Sequence, residues 1–189
     1  MMLYENTRTV YDLVHNAAAE HGDRVFLQYE ENGIIFRVTY KEFADECDAI
    51  AAWARKKRAQ VGHKLKVGTL GVSSHHYLAV LLGVMSGGDT GIPLDVQLNA
   101  QKLADCLNRS DVDVLFYDWD FHLLTEEVKE ECPEVVEYIS LQHGKHVNCS
   151  DKILKAYEGQ HVESDAKADE CAMILFTSGT TGRGKGVML

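Results

Sequence analysis

Ala172-Met173-Ile174-Leu175-Phe176-Thr177-Ser178-Gly179-Thr180-Thr181-Gly182-Arg183-Gly184-Lys185-Gly186-Val187-Met188-Leu189 decides how the rest of the chain is read. An apolar, strand-like run empties into glycines and hydroxyls with a lysine, and a second apolar run follows. Glycines allow backbone N–H groups to turn toward an anion, and hydroxyls add donors with little bulk. Lys185 adds a positive charge that a polyphosphate can meet. The composition predicts a nucleotide-phosphate loop. The second apolar run carries no turn signal, which predicts that the natural protein continues past Leu189.

Two loop chemistries compete for these residues. Gly179-x-x-x-x-Gly184-Lys185 matches the Walker A pattern as far as the lysine. The next position should carry the Ser or Thr hydroxyl that holds Mg2+, and the loop should open a helix. Here Gly186 follows, and Val187-Met188-Leu189 predicts a strand. The alternative is more specific. Leu175-Phe176-Thr177-Ser178-Gly179-Thr180-Thr181-Gly182-x-x-Lys185-Gly186-Val187 resembles the signature loop of the adenylate-forming (AMP-binding) ligase superfamily. That superfamily contains acyl-CoA synthetases, luciferases and the adenylation domains of peptide synthetases. The family usually places proline before the lysine, where this chain has Gly184. Such a change enlarges the unfolded ensemble and loosens a loop by about 0.5–1 kcal/mol.

Weaker segments agree in order. Gly88-Asp89-Thr90-Gly91-Ile92-Pro93-Leu94-Asp95, then Leu103, Leu107, Ser110 and Val114-Leu115-Phe116-Tyr117-Asp118, resemble a family strand, helix and strand. Val67 to Ser74 leading into Tyr77 to Met85 resembles a strand followed by a buried helix. Val38-Thr39-Tyr40-Lys41-Glu42-Phe43 resembles an early helix entry, and the segment from Asp12 to Val25 resembles the opening helix and its exit. The chain holds two prolines, where average usage gives about nine.

The resemblance implies a parent enzyme that joins a carboxylic acid to ATP, releases pyrophosphate, and passes the acyl-adenylate to a thiol. The pattern favours coenzyme A as co-substrate, as in long- or medium-chain fatty acid-CoA ligases of the cytoplasm. A carrier-loading adenylation domain, a non-catalytic nucleotide-binding domain and a P-loop NTPase fragment are the alternatives. By resemblance, Thr177, Ser178, Gly179, Thr180, Thr181, Gly182 and Lys185 bind the phosphates of ATP, and Thr180 reaches Mg2+. The family's catalytic lysine and its adenine and ribose contacts lie beyond Leu189. No catalytic residue is expected within the 189 residues, which alone are expected to be inactive.

Composition is ordinary for a soluble globular domain, with 46% apolar and 25% charged residues. A net charge of −10 argues against nucleic acid as a partner. Arg55-Lys56-Lys57-Arg58 falls near the expected C-terminal end of a helix, where cations favour the dipole. The uncharged stretch from Val67 to Gly88 has membrane-like length, but five glycines and Ser73-Ser74-His75-His76 interrupt it. Cys47, Cys106, Cys132, Cys149 and Cys171 show no paired spacing and read as reduced thiols. His143, His146 and Cys149 have metal-like spacing without a fourth ligand beyond Asp151, so a surface connection is the simpler reading.

Periodicity predicts an opening helix after Thr7–Thr9, with Val10, Leu13, Val14, Ala17 and Ala18 on one face. Val25 to Tyr29 and Ile34 to Val38 flank the hairpin signal Asn32-Gly33. Thr39-x-x-Glu42 is a capping box for a helix bearing Phe43, Cys47, Ile50, Ala51 and Ala54. Strands are expected near 66–72, 89–93, 112–117 and 135–140, and helices near 75–86, 99–109 and 121–131. This alternation predicts a mainly parallel sheet with helices on both faces. The organisation expected is an opening helix and hairpin over 1–38, βα units over 39–140, a connection over 141–168 with a short helix near Ile153–Tyr157, and the strand and phosphate loop over 169–189. Asp95 is expected in a turn or cap, Ser110 in a loop, and His75 and His76 at a helix start without chemistry.

Overall fold

The computed structural model describes residues 6–31, 33–141, 148–177 and 184–189. Helix α1 spans Val10–His21 behind an N-cap at Thr9. The Thr9 hydroxyl accepts from the Asp12 N–H at 3.1 Å, and the Asp12 carboxylate accepts from the Thr9 N–H at 2.9 Å. Val14 is buried, whereas Leu13, placed by spacing on the same apolar face, is 43% exposed. Strands β1 (Val25–Glu31) and β2 (Ile34–Thr39) form the expected antiparallel hairpin, although Asn32 of its turn lies outside the described residues.

Thr39 ends β2 and caps α2 (Tyr40–Val61). Its hydroxyl accepts from the Glu42 N–H at 3.1 Å, and Glu42 Oε2 accepts from the Thr39 N–H at 2.8 Å. These bonds from Thr39 hold the Glu42 carboxyl below its ordinary value. A folded-state pKa below the unfolded one contributes stability above the unfolded value, lost as pH falls through the folded value. Thr39→Ala is therefore expected to cost about 1 kcal/mol at neutral pH. The difference from the parent should shrink as pH falls through the Glu42 titration, which denaturant midpoints measured at neutral and acid pH will show.

Four parallel strands follow: β3 (Lys66–Leu70), β4 (Thr90–Leu94), β5 (Val114–Tyr117) and β6 (Glu137–Ser140), in the spatial order β4-β3-β5-β6. Between them run α3 (His75–Ser86), α4 (Ala100–Arg109) and α5 (His122–Val128). Alternation along β5 explains the two-sided covering. Val114 and Phe116 meet Ile50 and Trp53 of α2 and Val80 and Val84 of α3 on one face. Leu115 and Tyr117 meet Leu103 and Leu107 of α4 and Val128 of α5 on the other. Each such buried side chain contributes roughly 1.5–3 kcal/mol. α2 and α3 lie unusually close: a Cβ on Gly83 would sit 2.7 Å from Ile50 Cβ and 2.9 Å from the Cys47 carbonyl oxygen. The sequence-predicted α/β architecture, a parallel sheet flanked by helices, is the one observed.

The element ends differ from the periodicity in places with a local cause. The strand expected from 135 begins at Glu137, because Cys132-Pro133-Glu134-Val135 turns, with the Val135 N–H donating to the Cys132 carbonyl at 3.2 Å. The helix expected over 121–131 is α5 between two single 3-10 turns, Trp119–Phe121 and Lys129–Glu131; no side chain caps its start. The short helix α6 spans Ser150–Ala156, beginning at a buried serine whose hydroxyl donates to the Leu141 carbonyl at 3.1 Å. Cys47, Cys106, Cys132 and Cys149 are buried, Cys171 is partly buried, and all five are free thiols.

The basic run at the end of α2 is consumed inside the molecule. Arg55 donates to the Glu163 carbonyl at 2.8 Å, Lys56 lies over the Tyr157 ring, Lys57 pairs with Glu137 at 2.7 Å, and Arg58 pairs with Asp89 at 2.6 Å. Among the described residues, no helix is long and apolar enough to cross a membrane.

Candidate functional site

The second antiparallel pair is built by β7 (Ile174–Thr177) and β8 (Lys185–Met188). The chain reaches it along the free edge of β4. The Gly91 N–H donates to the Ala172 carbonyl at 2.9 Å, the Thr90 hydroxyl donates to the Cys171 carbonyl at 3.1 Å, and Gly91 bridges Met173 in parallel. Ile174 and Phe176 pack toward the α4/α5 side of the core, while Leu175 points outward. Alternation thus anchors every second residue of β7 and leaves Thr177 exposed at its end.

Thr177 pairs with Lys185, Phe176 with Gly186, Leu175 with Val187 and Ile174 with Met188. Lys185 therefore heads a strand. A Walker loop would place it at the first turn of a helix, so that reading, and the P-loop NTPase alternative with it, falls. The Thr177 hydroxyl lies 3.4 Å from the Lys185 carbonyl oxygen, and the Lys185 side chain is exposed. Ser178, Gly179, Thr180, Thr181 and Gly182, expected to cradle phosphates, lie with Arg183 outside the described residues. Of the expected site residues, the structure brings Thr177 and Lys185 together at the two ends of that segment.

One residue of this region escaped the sequence reading. Arg109, in the last turn of α4, donates through Nη1 to the Gly184 carbonyl at 2.8 Å and to Asp105 at 3.0 Å. Its guanidinium carbon lies 5.6 Å from the centre of the Phe176 ring, a cation–π contact. Arg109 thereby latches the start of β8 and the Phe176 face of β7 to α4. Its pair with Asp105 is an ordinary helix contact, and no local pattern marks the rest of its role, since Gly184 and Phe176 lie far along the chain. The glycine at 184 also has a structural consequence. A Cβ there would sit 3.0 Å from the Thr177 carbonyl oxygen, so a larger residue would press on the hairpin as well as stiffen it.

Topology points to a second location. The strand order reverses between β3 and β5, and open α/β sheets usually hold ligands at the carboxyl ends of such strands. Asp118 fills that crevice: its Oδ2 accepts from the Val72 N–H at 2.7 Å, and burial raises its carboxyl above the ordinary range. The other polar residues singled out from sequence have internal roles. Asp95 accepts from the Gln97 N–H at 2.9 Å in a turn, as expected. Ser110, expected in a loop, instead closes α4, donating to the Cys106 carbonyl at 2.8 Å. His75 and His76 begin α3 as expected; His75 faces Glu46 and stacks on Tyr29, and His76 Nε2 lies 2.9 Å from Asp151. His143 and His146 lie outside the described residues, and Cys149 is buried.

Against known proteins, the sequence pattern of the AMP-binding enzyme family matches residues 14–189. The chain belongs to this family. The AMP-binding chain is 29% identical to the nonribosomal peptide synthetase agiA of Aspergillus flavus over 98% of its own length and 2% of that protein's. It is 27% identical to the fatty acid–[acyl-carrier-protein] ligase ScoC of Streptomyces coeruleorubidus over 80% of its length and 28% of that protein's. Among solved structures, the A-PCP didomain of a carboxylic acid reductase from Segniliparus rugosus, in complex with AMP, superposes with a TM-score of 0.81. The sequence identity there is 16%, with 99% of this chain and 32% of that one covered, a likeness of fold. The chain spans only a minor part of the length of each of these relatives. Adenylate-forming ligases use ATP, and the hydroxyl, glycine and lysine donors between Thr177 and Lys185 suit a polyphosphate.

Proposed function

We propose that this chain forms the N-terminal part of an ATP-dependent ligase that activates a carboxylic acid as its adenylate and passes the acyl group to a thiol. The observation that carries the reading is the β7–β8 hairpin, whose paired ends at Thr177 and Lys185 enclose the glycine- and hydroxyl-rich segment. In this reading Thr177, Ser178, Gly179, Thr180, Thr181 and Gly182 supply neutral donors to the phosphates. Thr180 reaches Mg2+, and Lys185 meets the charge of the departing pyrophosphate. ATP supplies the α-phosphorus that the carboxylate attacks, so the protein's task is to position and neutralise. The segments 1–38, 39–140, 141–168 and 169–189 then serve as opening helix and hairpin, sheet scaffold, connection and phosphate hairpin of one nucleotide-binding unit.

The acceptor in this reading is a pantetheine thiol, that of coenzyme A being the form the sequence favours. Carrier loading is the second reading, supported by the similarity to a fatty acid–[acyl-carrier-protein] ligase and to a nonribosomal peptide synthetase. The full-length protein, given ATP, Mg2+ and a carboxylic acid panel, should convert either free coenzyme A or a phosphopantetheinylated carrier into an acyl thioester detectable by mass spectrometry. Exclusive carrier acylation would select the second reading, and adenylate formation with neither thiol consumed would contradict the transfer step.

A further inference from the structure

Away from the phosphate hairpin, three residues from three separate segments converge. His15 comes from the middle of α1, Asp48 from the middle of α2, and His161 from the irregular connection after α6. The Asp48 carboxylate is buried. His15 Nε2 lies 3.1 Å from its Oδ1, and His161 Nδ1 lies 2.6 Å from its Oδ2. The two imidazoles meet edge to face, with ring centres 5.5 Å apart. One nitrogen or oxygen from each of the three residues lies within 4.8 Å of the other two. Tyr11 backs the pair, its ring 4.1 Å from His15 and its hydroxyl 3.3 Å from His161 Nε2.

Two rings aimed at opposite oxygens of one buried carboxylate serve poorly as a simple ion pair. Asp48 carries a single negative charge, and one protonated imidazole would neutralise it. Two imidazoles and a carboxylate are the donor set that suits zinc, cobalt, nickel or copper in their divalent states. His161 is solvent-exposed, which leaves room for water as a further ligand.

We propose that His15, Asp48 and His161 form a binding site for one divalent transition-metal ion of the zinc class. The ion would staple the connection to α1 and α2. The same connection is held nearby through Ser164, whose hydroxyl donates to the Ser86 carbonyl at 2.6 Å, and it runs on into β7. A cation here would fix the approach to the phosphate hairpin without touching nucleotide.

The test uses the full-length protein, tag-free and stripped with a chelator. Zn2+ titrated by calorimetry should bind with one equivalent assigned to this site, and the protein's melting temperature should rise. Co2+ in the same site should give visible d–d absorption. His161→Ala removes an exposed ligand without disturbing a helix, and it should weaken that equivalent at least tenfold and abolish the thermal shift. His15→Gln, which preserves bulk, should do the same. Equal Zn2+ affinity in the parent and both variants would overturn the proposal. So would the absence of saturable binding and thermal shift in the parent, leaving a hydrogen-bonded cluster only.

Discussion

Lys185→Ala in the full-length protein is expected to lower the rate of adenylate formation by about 100- to 1000-fold, the usual cost of removing one preorganised charge-stabilising group. The argument rests on where the hairpin puts this side chain. Lys185 begins β8 opposite Thr177, exposed, with its backbone fixed by strand pairing. Its ammonium can follow a departing pyrophosphate while the main chain stays anchored through Phe176 and Ile174. The fall should appear mainly in kcat, because charge on the leaving group grows toward the transition state. Lys185→Arg should recover only part of the activity, since the planar guanidinium replaces a compact point charge. The denaturant midpoint should stay close to that of the parent, because Lys185 is exposed and its removal leaves no buried partner. A variant with unchanged exchange kinetics would remove Lys185 from the phosphate chemistry.

The largest effect on stability is expected from Arg58→Ala. Arg58 Nε donates to Asp89 Oδ1 at 2.6 Å, Nη2 to the Gly87 carbonyl at 2.7 Å, and Nη1 to Asp165 Oδ2 at 2.8 Å. The same Asp89 oxygen also accepts from the Leu65 N–H at 2.6 Å. One guanidinium therefore ties α2, the turn into β4, the entry to β3 and the connection. The Asp89 side chain is 0% exposed. Burial pushes its carboxyl above the ordinary value despite Arg58 and the Leu65 N–H. Removing the cation strands that carboxylate in the interior, a change worth about 3–5 kcal/mol. Denaturant unfolding should show the midpoint falling with the slope unchanged. Arg58→Lys should fall between parent and alanine, keeping a charge but losing the fork. A loss under about 1 kcal/mol would mean the pair is solvated like a surface ion pair.

Much of the fold was legible because its signals are local. The Thr39-x-x-Glu42 box marks a helix start within four residues, and both reciprocal bonds form. Val114-Leu115-Phe116-Tyr117 reads as a strand buried on both faces, and it lies between two helical layers. The two strands of the β7–β8 pair were legible from their own apolar runs. Gly186 where a hydroxyl was needed argued against a Walker loop, and the strand at Lys185–Met188 bears that out.

What escaped the sequence depends on partners far along the chain. Arg109 reads as an ordinary helix-end cation until the hairpin folds back to offer it the Gly184 carbonyl and the Phe176 ring. Arg58 reads the same way, within a basic run, until Asp89 is placed beneath it. His15, Asp48 and His161 carry no common spacing, and only the packing of α1 on α2 and the return of the connection bring them together. Strand and helix ends were set by turn chemistry as much as by apolar pattern, as the Pro133 turn before β6 shows.

The central claim is adenylation by a protein whose phosphate hairpin lies between Thr177 and Lys185. It is tested most directly by carboxylic acid-dependent exchange of labelled pyrophosphate into ATP by the full-length protein, run with fatty, aryl, small and amino acids. The account predicts exchange that requires a carboxylic acid from one of these classes and collapses in Lys185→Ala. Exchange absent with every class, or undiminished in that variant, would contradict it.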